Sequence, residues 1–443
     1  MIRSTISALV LAGAVAAGCA DLPAASIEES GPRTEGAQGS AGENNRAAPR
    51  AAGRLMVDTT FVPESATIIR QFVVSDRVLI ASFDYQGPLI ENPYTDAAKP
   101  SYMHQTRTAL AAWTLDGRAL WRQDSPRAYK LELAGSEVAL AYDGGGVHSE
   151  RGIIWFDVAT GKQLRRTKLE GRPLDMRYYS EVRLLVLMIM PQHRLETMDG
   201  AWMEVAAYDA EGRPAWRWKK DGPALSPLRM DGSTLVVGAS YGPVPAAIRL
   251  DPATGRLVWS APWNFDEPVK ASPGPEAPLS HESLVMLPMS AGARFLDLAN
   301  GQPAADVPLP EIPRRGTWTV AGQGDRVYVT SDDLKSITLA AYRFPSGQRI
   351  WVDETGTVSY FGPAAWGSDV AFMARRLSGG LVGQAMTTEL RVYGPQGDLL
   401  GYVASDSPDG TLHWMDNLPI RVVGDRIYAA ASNAVLAIRL QAK

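Results

Sequence analysis

Cysteine is almost missing from this chain: Cys19 stands alone among 443 residues. One thiol excludes an intrachain disulfide, a Cys-x-x-Cys redox pair and a Cys-x-x-Cys-His haem attachment. Histidine is also scarce. His104, His148, His193, His281 and His413 are scattered, with no His-x-His or His-Glu-x-x-His spacing on a common element, and each reads as a surface or loop residue. A Gly-x-Ser-x-Gly elbow and a phosphate-binding loop are both lacking. Neither sign of charge dominates: the formal net charge is -4, so neither nucleic acid nor an anionic membrane surface is implied as a partner. Helical periodicity is nearly absent downstream of the N-terminus, which excludes an α/β fold.

The N-terminus reads as an export signal. Arg3 supplies a positive start, and residues 6–17 form an apolar run too short to span a bilayer comfortably. The run ends in Ala16-Ala17-Gly18-Cys19, which resembles the lipobox of bacterial lipoproteins, with Ala16 where Leu is more usual. That resemblance implies cleavage before Cys19 and acylation of its thiol. The lack of any other cysteine fits a thiol kept for an anchor. Ala20 rather than Asp after the cysteine favours, by the same resemblance, the outer membrane facing the periplasm in a Gram-negative cell; in a Gram-positive cell the anchor would be on the outer face of the plasma membrane. Residues 20–53 are rich in Ala, Gly, Ser, Glu, Asn and Pro and nearly free of large apolar groups, the composition of a flexible tether. The expected organisation is a signal peptide over 1–18, a lipidated Cys19 with tether over 19–53, and a folded part over 54–443.

What the folded part has in quantity is repetition. Gly117, Gly212, Gly255 and Gly347 each precede a tryptophan by four residues: Trp121, Trp216, Trp259 and Trp351. Weaker copies centre on Gly161, Gly301 and Gly397, with Arg165, Ala305 and Gly401 in the tryptophan position. The seven glycines recur every 43 to 51 residues, the spacing of propeller blades. Each copy has the pattern of a β-hairpin: an apolar strand, a polar turn with Gly where φ > 0 is needed, and a second strand. A further apolar strand lies upstream of each, starting at Val78, Val138, Leu184, Leu235, Leu284, Val327, Val370 and Ile427. The last copy stops after residues 435–440, one strand short. Leu55-Met56-Val57-Asp58 is an orphan strand before the first copy, and pairing it with the last would complete four strands and remove an exposed edge. The fold class expected is all-β: an eight-bladed β-propeller of four-stranded antiparallel blades, the last closed by the N-terminal strand.

The motif Asp-x-x-Thr-Gly-x-x-x-Trp, seen as Asp251 to Trp259, resembles the tryptophan-docking repeat of PQQ-like (quinoprotein-type) propellers. That family includes PQQ-dependent alcohol dehydrogenases and the outer-membrane assembly lipoprotein BamB. The resemblance implies a packing role for each Trp between neighbouring blades, with smaller contacts at the blades of Gly161, Gly301 and Gly397. Its enzymatic branch implies a Ca²⁺ site, a catalytic Asp, a flat quinone pocket and, in many members, a pair of adjacent cysteines. No Ca²⁺-ligand motif is matched here, and the cysteine pair is impossible. Asp116, Asp209, Asp251 and Asp297 occupy equivalent turns, where a carboxylate accepting backbone N–H groups accounts for them.

The expectation is therefore a non-catalytic envelope lipoprotein, without cofactor or metal, that serves as a monomeric scaffold for protein partners in the manner of BamB. The rivals are a PQQ- and Ca²⁺-dependent dehydrogenase and a propeller that binds glycans or small ligands. Number the strands of each blade A to D from the centre outward. The long connections are then residues 85–106, 191–200 and 375–388 (B–C) and 263–269 and 405–417 (D–A), all on one face. Tyr85, Tyr94, Tyr102, His104, His193, Trp263, His413 and Trp414 lie there, and aromatic loop residues suit a partner contact.

Overall fold

The computed structural model describes residues 55–91, 102–144, 150–190, 202–221, 229–231, 234–241, 244–262, 271–273, 279–281, 283–289, 292–308, 316–323, 325–332, 337–353, 359–378, 385–404, 418–431 and 433–440. Cys19 and the segments expected to be signal and tether lie outside them. The described strands form eight sheets. Seven follow the chain as antiparallel A-B-C-D meanders, the first being Ala66–Val74, Val78–Glu91, Tyr102–Thr114 and Ala119–Asp124. The sixth carries one extra strand, Ala271–Pro273, laid parallel to Gly316–Gln323. The eighth joins the first and last described strands: Arg421–Val423, Arg426–Ala430 and Val435–Leu440 continue into Leu55–Phe61, with Leu55 opposite Leu440 and Phe61 opposite Val435.

The B strands start within a residue of the eight expected positions, at Val78, Glu137, Leu184, Thr234, Leu284, Arg326, Asp369 and Arg426. Their composition follows from their surroundings. A sheet packed against a neighbour on each face buries both sides of its inner strands, so Leu184–Met190 is an almost unbroken apolar run and is buried nearly throughout. The outer D strand meets solvent on one side, and Gln163–Lys168 reverts to alternation. Shared hydrophobic clusters link the first and second sheets, the second and third, the third and fourth, and the fourth, fifth and sixth. Others link the sixth and seventh, the seventh and eighth, and the eighth and first.

The repeat glycines and tryptophans meet across these junctions. All seven glycines adopt positive φ, from 67° at Gly347 to 92° at Gly117. A side chain at Gly255 would begin 2.4 Å from the indole of Trp216, and one at Gly301 2.7 Å from that of Trp259. Backbone conformation and close approach thus both demand glycine. The indole N–H groups of Trp121, Trp216 and Trp259 donate to the carbonyls of Val158, Pro252 and Leu298, each three residues before the glycine it covers. Trp351 lies over Gly397 and stacks on Tyr393, ring centroids 5.8 Å apart.

Where the repeat lacks its tryptophan, substitutes differ in size. At Gly212 the substitute is not small: Trp155, from strand C of the second sheet, comes within 3.2 Å of a side chain built there, and Arg165 lies over its ring at 4.6 Å. The position expected to hold a minor contact is thus filled by another indole. At Gly347 the neighbour is Val307, and at Gly117 it is Thr59 of the N-terminal strand. The turn aspartates act as local caps: Asp209, Asp251 and Asp297 accept backbone N–H bonds of 2.8 to 3.3 Å from the residues that follow them. Asp116 accepts from the Thr114 hydroxyl, which holds its carboxyl below the usual range.

Candidate interaction site

An antiparallel meander puts its A–B and C–D turns at one end, and its B–C connections and sheet-to-sheet crossings at the other. At the first end the polar groups are spent on turns and on docking one sheet to the next. The second end projects further. In the first sheet, strand A stops at Ala66 opposite Tyr85, and strand D stops at Asp124 opposite Ala109. Strands B and C continue pairing as far as Glu91 opposite Tyr102. Residues 86–91 and 102–108 therefore form a two-stranded ribbon that extends beyond its sheet.

This corrects the expectation of a loop over residues 85–106. Gly87-Pro88 reads as a loop in sequence, but a register shift between Gln86 and Leu89 absorbs it as a bulge. A side chain at Gly87 would begin 2.8 Å from the carbonyl oxygen of Gln105, so glycine is required by close approach. His104 supports the bulge, its Nδ1–H donating to the Gly87 carbonyl at 2.9 Å. Strands B and C of the seventh sheet likewise pair past the expected loop start, from Arg375 opposite Thr388 to Ser378 opposite Ala385.

Aromatic rings and cations are layered at the base of the ribbon. The Tyr85 hydroxyl donates to Asp124 Oδ1 at 2.8 Å, while the Arg122 guanidinium lies 4.5 Å from the centre of the Tyr85 ring and 5.4 Å from that of Phe83. Arg122 also donates to the Glu64 carbonyl at 3.1 Å. The same end of the next sheets repeats the device. Arg172 covers Tyr129 at 4.8 Å, Arg166 covers Tyr142 at 4.9 Å, and Lys219 covers Trp202 at 4.2 Å. Carboxylates interleave: Asp143 pairs with Arg151 at 3.0 Å and Arg172 at 3.3 Å, Glu150 with Arg166 at 3.0 Å, and Glu204 with Arg217 at 3.6 Å. Burial pushes the Glu204 carboxyl up against the pull of Arg217. It raises the Tyr142 phenol too, opposed by the bond that Arg166 donates to its oxygen.

A second polar cluster lies on the innermost strands. Lys130 meets Asp175 at 3.4 Å, and Arg177 meets Glu132 at 3.8 Å and Asp175 at 3.9 Å. The Tyr178 amide donates to Glu132 at 3.2 Å. Burial raises the Glu132 carboxyl, opposed by Arg177 and by Arg421 from the eighth sheet. Cations and carboxylates alternate there, which ties strand A of the second sheet to strand A of the third. Among the described residues no three His, Cys, Asp or Glu converge as a metal-ligand set.

Of the residues singled out in the sequence, Tyr85 stands at the base of the ribbon, and Tyr102 and His104 lie on its second strand. Tyr94, His193, Trp263, His413 and Trp414 lie outside the described residues, as do His148 and Cys19. Arg122, Asp124, Trp202 and Lys219 were not legible as site residues. They are separated from their partners by strand pairing, and the register alone brings them together.

A family model described as outer membrane protein assembly factor BamB matches residues 197–370. In fold, the chain is similar to BamB from Moraxella catarrhalis, with a TM-score of 0.55 at 13% identity over 88% of this chain and 98% of that one. Its fold is that of a β-propeller of the PQQ-like, BamB-like kind. The fold is also similar to that of a quinohemoprotein alcohol dehydrogenase from Pseudomonas putida, with a TM-score of 0.53 at 13% identity, covering 90% of this chain and 79% of that one. A europium-containing methanol dehydrogenase scores 0.52 at 12% identity, covering 89% and 88%. No curated protein sequence matches. At these identities the likeness carries the fold of the propeller and leaves its activity to its own residues.

Proposed function

We propose that this propeller is a non-catalytic scaffold of the bacterial envelope that meets protein partners at its long-connection end. In this reading the eight sheets are the eight blades of a single closed disc spanning residues 54–443. Residues 1–18 are its signal peptide, residues 19–53 its tether, and Cys19 carries its lipid. The lipidated protein sits as a monomer at the outer membrane, facing the periplasm. The shared clusters that run from each sheet to the next, and from the eighth back to the first, support the closed disc. The lone cysteine behind Ala16-Ala17-Gly18 supports the anchor.

The observation that carries the scaffold reading is the ribbon. It extends a rigid sheet into solvent, with Leu89 at its surface 58% exposed and a Tyr85–Arg122–Asp124 cluster at its base. Aromatic and arginine side chains held on a rigid scaffold are the anchors that protein interfaces favour. A photo-crosslinking residue at Gln105 is expected to give discrete protein adducts in intact envelopes, and the same residue at Thr160, on the opposite end, to give none. Adducts from both ends or from neither would remove the reading. Tight binding of PQQ with Ca²⁺, seen as a quinone absorbance on the purified chain, would favour the dehydrogenase instead.

A further inference from the structure

We infer that the outer edge of the ribbon's second strand, residues 104–108, takes up an extended acidic segment of a partner protein as an added β-strand. This inference rests on the scaffold reading and names its partner's chemistry. Thr108 makes the last contacts between strands C and D of the first sheet: its carbonyl accepts from the Ser125 amide at 3.1 Å and its hydroxyl donates to the Ser125 carbonyl at 2.6 Å. In an antiparallel strand alternate residues point their N–H and C=O to the same side. Thr106 and His104 therefore aim their main-chain groups as Thr108 does, toward the place strand D would occupy. Strand D ends at Asp124, and among the described residues no main-chain partner replaces it.

The ribbon's two edges are unlike. The strand of residues 86–91 is interrupted by the Gly87-Pro88 bulge, and a bulge with a proline blunts an edge against further pairing. The strand of residues 104–108 contains neither device. An edge left open while its neighbour is blocked suits strand addition, in which main-chain bonds supply affinity and alternate side chains supply selectivity.

Charge selects the occupant. Arg107 stands opposite Tyr85 in the ladder, on the face that also carries Arg122. Arg107 is exposed, and it donates to the Gln105 amide oxygen at 3.4 Å rather than to a carboxylate. Asp124, an acid on that face, is engaged by the Tyr85 hydroxyl. An incoming strand with a carboxylate at every second residue would set its charges beside Arg107 and Arg122.

The test uses the full-length protein in detergent and three short peptides: alternating Val and Glu, alternating Val and Lys, and the Val–Glu peptide interrupted by proline. Amide hydrogen exchange is followed over residues 102–108. The Val–Glu peptide is expected to protect this segment, with the other two giving little protection. Thr106→Pro deletes one outward N–H and should weaken Val–Glu binding about tenfold or more, the order of one lost interfacial hydrogen bond. Thr106→Ala keeps the main chain and should bind like the parent. Arg107→Glu should reverse the preference toward the Val–Lys peptide.

Equal binding by the Thr106→Pro variant, at an unchanged unfolding midpoint, would overturn strand addition, as would equal loss in Thr106→Ala. Equal binding of the Val–Lys peptide would overturn the acidic preference. The scaffold reading fails separately. If Gln105 crosslinks in envelopes persist in Thr106→Pro, the scaffold stands without strand addition; if peptide binding holds and no crosslink forms, the scaffold reading falls.

Discussion

Trp259 joins two sheets through one side chain. Its ring covers the positive-φ Gly301, its N–H reaches the Leu298 carbonyl at 2.8 Å, and it is 7% exposed. Trp259→Ala removes a large buried surface and leaves that carbonyl with Arg249 as its side-chain donor, at 2.6 Å, so a loss of about 3–5 kcal/mol is expected in urea unfolding, chiefly from the lost packing. Gly301→Ala should lose roughly 1 kcal/mol or more from backbone strain alone, with the clash against the indole added. In the Trp259→Ala background the clash is gone, and only the backbone part should remain. Strict additivity in this double-mutant cycle would contradict the contact. Glu132 offers a pH-dependent test. Its folded pKa is raised above the ordinary 4.5 by burial, against Arg177 and Arg421 and with Asp175 adding to the rise. A raised carboxylate contributes stability that is full below the unfolded value and is lost as pH rises through the folded value. Glu132→Gln is therefore expected to be more stable than the parent near neutrality, with the gap narrowing in acid, as read from urea midpoints at both pH values.

At the scale of elements, the strand Leu55–Phe61 has the largest consequence. Phe61 is 1% exposed and sits 6.3 Å, centre to centre, from both Trp113 of the first sheet and Tyr428 of the eighth. Asp58 pairs with Arg426 at 2.8 Å, and Arg426 also donates to the Leu115 carbonyl at 2.8 Å. Phe61→Ala is expected to cost about 3–5 kcal/mol and to lower the unfolding midpoint without dividing the transition in two. The sequence made this strand legible because an apolar run with no partner stood before the first repeat, while the last repeat was one strand short. The B strands and the Trp–Gly spacing were legible for the same reason: each copy reports on the others. The ribbon was not. Gly87-Pro88 carries a turn signal, and whether a strand absorbs such a pair as a bulge depends on the register of its partner, which local composition does not encode. Trp155 escaped notice because it stands on strand C, outside the repeat position it fills. The inner-strand charges Lys130, Glu132, Asp175 and Arg177 look like ordinary surface residues until adjacent sheets place them face to face.

At the scale of the whole molecule, the proposed lipid anchor makes a plain prediction. Cys19→Ser should abolish palmitate labelling and move the protein from the membrane to the soluble fraction, with the folded part unchanged by circular dichroism. Retention of label in that variant would mean that another residue carries the lipid. The large number of strands and the seven junction clusters also predict one cooperative unfolding transition rather than several, because each sheet is buried on both faces by its neighbours.

The pairing of Leu55–Phe61 with Val435–Leu440 also imposes an order on biogenesis. The first strand synthesised must wait for the last, since its hydrogen-bonding partner does not exist until nearly the whole chain has emerged. Meanwhile Leu55 and Phe61, which the bulge after Val57 turns to opposite faces of that strand, have no home. Native contacts of such long sequence separation fold slowly. A nascent chain arrested before residue 435 is expected to stay sensitive to protease over residues 55–61, and a chain released after residue 440 to become resistant. The interval before residue 440 emerges is when the protein most needs a chaperone, and the length of chain between the two paired strands sets its duration.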